Sequence, residues 1–397
     1  MKKFFLLLAA FVCVTCIAQK AFKPVTTALK AKNYKEALQQ ISKLRKDSLY
    51  KDDVKLCVYA VEAQRGLNDA ENMKIYLKQT YDTLSFFSTT YEVVKEAIRL
   101  DSIEKEKFKA EDKKPKQTKF VVENLHRYYP NIQAAVRFFY KKNNAEETMK
   151  YARMYLDVPG TEIGKSAALT PKSVESNAAM YLVSAFENKN YAEVHRYESK
   201  ARNSQFFHFK VIDDLAYTAQ AENDSIAYVN LLTEGWNEYP DSRTFFLRLA
   251  DFYNQQGNYQ KVICLSEKQL AHDSTDITAY FAQCMAHFNK KDYKACIRSA
   301  KNMLSIDSVN ADAHYYIGAS LIGEIDAMAV PNKASSAMYR KFLAEQQQFY
   351  IKAEKELETF RSLAPQAKLQ WAPLLYKVYL ALNRGKKFAE IEQLMEQ

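Results

Sequence analysis

Large, small and polar positions recur along this chain at a fixed interval of 34 residues from Val174 to about Pro365. One column reads Tyr181, Leu215, Leu249, Gln283 and Ile317, and its neighbour reads Leu182, Ala216, Ala250, Cys284 and Gly318. A third runs Val194, Tyr228, Val262 and Cys296 and resumes at Ala353. Apolar residues three and four apart within each period predict amphipathic helices, and the small columns mark where two backbones approach most closely. A short phrase separates the helices: Lys32-Asn33-Tyr34, Lys189-Asn190-Tyr191, Gly257-Asn258-Tyr259 and Lys291-Asp292-Tyr293, each a turn followed by a helix start. One such pair of helices cannot bury its apolar stripe alone, so the pattern predicts hairpins stacked on their neighbours.

The column order, with Tyr191, Tyr259 and Tyr293 opening second helices, Ile212, Phe246, Tyr280, His314 and Trp371 heading first helices, and Pro240 and Pro365 following second helices, resembles the tetratricopeptide repeat family. The resemblance implies an all-α fold, a right-handed α-solenoid of helical hairpins. It is close over 175–367 and weaker over 18–51, 53–86 and 129–162. The domain plan that follows is a signal segment (1–18), degenerate hairpins (19–110), a polar loop or hinge (111–118), a degenerate repeat with a loop (119–174), well-phased repeats (175–367) and a capping helix pair (368–397). An insertion at about 323–349 interrupts the last well-phased repeat. It predicts two elongated helices, with Met338, Tyr339, Phe342, Leu343 and Phe349 as an apolar stripe that either packs on the preceding repeat or meets a partner.

With only 8 Gly and 9 Pro in 397 residues, few turns are expected to need a positive φ. No run of alternating β-branched residues appears, and no sheet is expected.

Location follows from the first residues. Lys2-Lys3, an apolar run from Phe4 to Val14, and small Cys16 and Ala18 before Gln19 read as a secretory signal cut after Ala18. The mature chain is then periplasmic or otherwise in the cell envelope, without a later membrane span; an outer-membrane lipoprotein fits less well, because neither Cys13 nor Cys16 has the small-residue context that lipidation needs. Six Asp-Ser/Thr pairs, beginning at Asp47, Asp82, Asp101, Asp224, Asp273 and Asp307, resemble the O-glycosylation sequon of exported Bacteroidota proteins, and equally suit helix capping.

The formal charge of +10 is read mainly as a solvated helix surface, as in Lys352-Ala353-Glu354-Lys355-Glu356, rather than as attraction to nucleic acid or anionic lipid. Outside the signal four cysteines remain. Cys284 and Cys296 occupy facing small columns and are candidates for a disulfide, or for plain core packing. His287 and His314 lie near them in sequence, but paired ligand spacing is missing and no metal is expected. No phosphate loop, nucleophile elbow or metalloprotease helix is present, so no cofactor and no catalytic residue is assigned.

The resemblance places partner binding on the concave face lined by first helices. Carried onto this sequence, that face holds Tyr217, Leu247, Asp251, Phe281, Met285, Phe288 and Tyr315, with Lys210, Asp213, Asn254 and Asn289 around them. The basic and amide clamp that chaperone-binding members use for a terminal carboxylate is missing, because its places hold Asp213, Tyr217, Leu247 and Phe281. An exported, non-enzymatic scaffold gripping a protein or peptide through aromatic and apolar contacts is the expected function. A glycan or envelope-polymer binder, stacking sugars on the same rings, is the alternative.

Overall fold

The computed structural model describes residues 20–109, 114–161, 163–166, 169–330 and 336–396. The predicted signal segment lies outside the described residues. Among them there is no strand, and the chain is a succession of helices, most of them packed chiefly on the next. No described helix is long and apolar enough to cross a membrane.

The helices group into two compact units, one ending at Ala221 and one beginning at Glu222. The first unit holds α1 (20–30), α2 (Tyr34–Leu44), α3 (Val54–Tyr76), α4 (Thr83–Lys109), α5 (Thr118–Lys141), α6 (Ala145–Asp157) and α7 (Pro171–Glu187). It continues through α8 (Tyr191–Val194), a 3-10 turn, α9 (Glu198–Ala201) and α10 (His208–Ala221). The second holds α11 (Ser225–Glu238), α12 (Arg243–Gln255), α13 (Tyr259–His272), α14 (Ile277–Asn289) and α15 (Tyr293–Ile306), then α16 (Ala311–Ala327), α17 (Ser336–Leu363), α18 (Lys368–Ala381) and α19 (Gly385–Glu396). The fold is all-α, a solenoid of helical hairpins.

The recurring phrase closes the hairpins by one mechanism. Its first residue takes a left-handed conformation: Lys32 (φ 57°), Lys189 (56°), Gly257 (68°) and Lys291 (63°). The next amide then reaches back to the carbonyl of the residue five before it, as in Asn190 N to Ala185 O at 2.9 Å and Asp292 N to His287 O at 2.9 Å. That same residue caps the following helix where its side chain accepts an amide, as Asn33 does from Glu36 and Asp292 from Ala295. Asn143, Asn223 and Asn383 take the left-handed place in turns that lack the phrase. The expectation of few positive-φ turns is therefore corrected. Scarce glycine does not signal their absence here, because exposed Lys and short polar Asn fill them.

Packing explains the columns. Ala216, Ala250 and Cys284 are buried, and a Cβ built on Gly318 would lie 2.6 Å from Leu357 of α17. Two of the phrase tyrosines seat on glycines of the following hairpin: a Cβ on Gly66 would fall 2.3 Å from the Tyr34 ring, and one on Gly323 2.4 Å from the Tyr293 ring. Residues that break the column pattern are held by hydrogen bonds instead. Buried Gln269 accepts from Trp236 Nε1 (2.7 Å) and donates to Pro240 O and Asp276 Oδ2 (3.1 Å each), while Gln283 accepts from Ser299 Oγ at 3.1 Å.

Two sequence boundaries gain a physical cause. The described end of the polar loop, next to α5, is tied down, because buried Glu104 accepts the amides of Lys116 (2.9 Å) and Gln117 (2.7 Å). In the interrupted repeat the lengthening falls mostly on α17, with 28 residues against 14 in α15. Along its first half Met338, Tyr339 and Leu343 are exposed, whereas Phe349 packs against the core of the second unit.

Candidate functional site

Three first helices of the second unit, α12, α14 and α16, touch in order, and this contact sets the candidate face. Asn289 Nδ2 at the end of α14 donates to Asn254 Oδ1 at the end of α12 (3.0 Å), joining equivalent ends of consecutive first helices. Leu247, Phe281 and Tyr315 stand one repeat apart on these helices. Leu247 is 43% exposed, while Phe281 and Tyr315 are half-buried. Asp251 is exposed and accepts from Gln255 Nε2 at 2.7 Å; Met285 is half-buried beside this row.

The rings of this face share one hub that the sequence reading does not single out. Tyr316 meets Phe281 (5.7 Å), Phe288 (5.8 Å) and Tyr315 (5.2 Å) at steep interplanar angles, and Tyr315 also meets Phe360 of α17 at 5.2 Å. Burial raises the phenol pKa of both Tyr315 and Tyr316, so these rings stay neutral at physiological pH. Phe281, Phe288 and Tyr315 therefore have one side committed to the core and one side left to the surface. The only sequence signal for the hub is the doubled Tyr315-Tyr316, where adjacent helix positions point about 100° apart.

Tyr217 belongs to the first unit. It is 42% exposed on α10, with its ring 6.1 Å from Phe186 of α7. One turn earlier on the same helix Asp214 is fully buried and accepts from Lys210 Nζ at 2.5 Å. Burial pushes the Asp214 carboxyl up to about 6, against the pull of Lys210. Lys210 Nζ also lies 5.3 Å from the Phe186 ring centroid.

The cysteine pair is in place as two free, fully buried thiols. Cys284 Sγ lies 3.6 Å from Cys296 O and 3.7 Å from Met303 Sδ. The hydrogen bond to the Cys296 thiol, with burial added, raises the Cys284 thiol well above its ordinary range. Of the nearby histidines, His314 Nδ1 pairs with Glu356 at 2.6 Å and His287 Nδ1 lies 3.7 Å from Asp292. Five of the six Asp-Ser/Thr aspartates cap or close turns, for example Asp224 with the amides of Ile226 and Ala227 and Asp273 with that of Thr275. Asp101 instead sits inside α4 paired with Lys105 at 2.9 Å.

No family model matches the sequence, and no curated protein matches it. Solved structures do. The C-terminal part of a TPR repeat-containing protein from Cytophaga hutchinsonii is 12% identical over 65% of this chain and 91% of its own, with a TM-score of 0.44. A MamA protein is 15% identical over 48% of this chain and 90% of its own, at 0.36. Yeast Tom70 is 10% identical over 89% and 90%, at 0.30.

Proposed function

We propose that this chain is an exported, non-catalytic scaffold of the tetratricopeptide type that holds a protein partner in the cell envelope on the first-helix face of its second unit. The observation that carries this reading is the row Leu247, Phe281 and Tyr315: large side chains at one repeat position on three touching helices, incompletely covered, with the two rings anchored from behind by Tyr316. Rings fixed on one side lose little conformational freedom when a partner covers the other, which is how a few aromatic residues come to dominate an interface. Asp251 at the edge of the row supplies a polar rim that favours a donor-bearing segment.

A photo-crosslinking amino acid at Leu247 tests the face, with the exposed Lys268 on second helix α13 as control. In native envelope the adduct is expected from position 247 and not from 268. Equal adducts from both, or none from 247, would remove the proposal. Export is tested separately by the mass of the native protein, expected to begin at Gln19.

A further inference from the structure

The net charge is concentrated in the first hairpin and the turn that follows it. Residues 20–55 hold ten basic side chains against four acidic ones, a surplus of six in a chain whose whole surplus is ten; from residue 222 onward, twenty face twenty-one. The interleaving seen in α17 therefore does not describe this end of the molecule. All nine lysines of 20–55 are exposed, and among the described residues none pairs with a carboxylate.

The four carboxylates are occupied elsewhere. Glu36 accepts from Gln40, Asp47 from the Leu49 amide (2.9 Å) and Asp53 from the amides of Lys55 and Leu56 (2.8 and 3.1 Å), while Asp52 pairs with Arg99 at 3.1 Å. On α1 the spacing puts Lys20, Lys23 and Lys30 on one side and the core residues Phe22, Val25 and Leu29 on the other. The one arginine, Arg45, is locked to Glu96 by two bonds of 2.7 and 2.6 Å.

From this arrangement we infer that the α1–α2 hairpin is a docking surface for a membrane rich in anionic phospholipid. Its chemistry selects that occupant over nucleic acid. Lysine is a hydrated point charge, suited to a diffuse plane of phosphates, whereas base reading uses the arginine fork, and the only fork here is engaged. Stacking of unpaired bases needs open rings, but Phe22 and Tyr50 are buried. The exposed Leu49 (63%), between Lys46 and Lys51, adds an apolar contact at the headgroup level.

The test is co-sedimentation of the purified protein with vesicles of phosphatidylethanolamine containing about one-third phosphatidylglycerol, beside phosphatidylcholine vesicles and a DNA duplex. Binding is expected to the anionic vesicles alone and to fade as salt rises from about 0.05 to 0.5 M. Replacing Lys20, Lys23, Lys30, Lys35 and Lys43 by Gln keeps helix propensity and is expected to weaken partitioning on the order of a thousandfold, at about fivefold per lysine. Gln at the exposed Lys291, Lys294 and Lys301 of the second unit is expected to change nothing, and Arg at the five N-terminal positions to restore binding. Failure to bind anionic vesicles at low salt, equal loss from both Gln sets, or tighter binding to DNA would overturn the inference.

Discussion

At the scale of single residues, most buried polar side chains find partners, and Asp214 is a costly exception among the described residues. Its carboxyl is fully buried, bonds Lys210, and leaves Oδ2 without a partner. A folded pKa of about 6 against about 4 in the unfolded chain means that the folded state holds the extra proton between these values. Stability is therefore expected to fall as pH rises from about 4 through 6 and to level off above, a loss of up to about 3 kcal/mol from this group. In Asp214→Asn that component should vanish, so the thermal midpoints of variant and parent diverge in the variant's favour between pH 4.5 and 7.5. Parallel curves would show that Asp214 is ionised at no cost. Its position is legible in the sequence as part of an Asp213-Asp214 pair, but its burial is not, because the core side of α10 is set by which neighbour covers it.

At the scale of elements, the turn chemistry decides where helices stop. The repeated phrase was readable as turn plus helix start because Asn and Asp are capping residues. The left-handed residue before them was not, because Lys carries no signal for positive φ, and sparse glycine argued the other way. Non-glycine residues pay roughly 1 kcal/mol in that conformation. Lys189→Gly and Lys291→Gly, both exposed and at φ near 60°, are therefore each expected to raise unfolding free energy by about 0.5–1 kcal/mol, read from denaturant midpoints. A decrease would mean that the lysine side chains contribute contacts that offset the strain. Gln269 and Gln283 show the converse limit: they look like errors in an apolar column until Trp236, Asp276 and Ser299 are seen beside them. Partners that far apart in sequence are not deducible from periodicity.

At the scale of the molecule, stacking on nearest neighbours was the most legible property, because a 34-residue interval held over several columns has no other physical cause. The candidate face was legible as a set of positions, yet the division of each ring between core and surface was not, since it depends on Tyr316. Nearest-neighbour stacking also makes damage local. Ile391 is the buried residue of α19 in the second unit, and Ile391→Ala removes roughly 2–4 kcal/mol of packing there. Hydrogen exchange in that variant is expected to quicken in α18 and α19 while α12 to α15 keep their protection; uniform acceleration would instead mark the unit as a single cooperative block.

The seam between α16 and α17 closes over Gly318, Ala353 and Leu357, all well inside the stretch where the two helices run together. Past Ala327, at the end of α16, Ala329 and Val330 are exposed and lie outside that closure. A foreign sequence spliced between Ala329 and Val330, whether an epitope, a fluorophore-bearing peptide or a small folded cargo, would hang on exposed residues, with the seam left as it was.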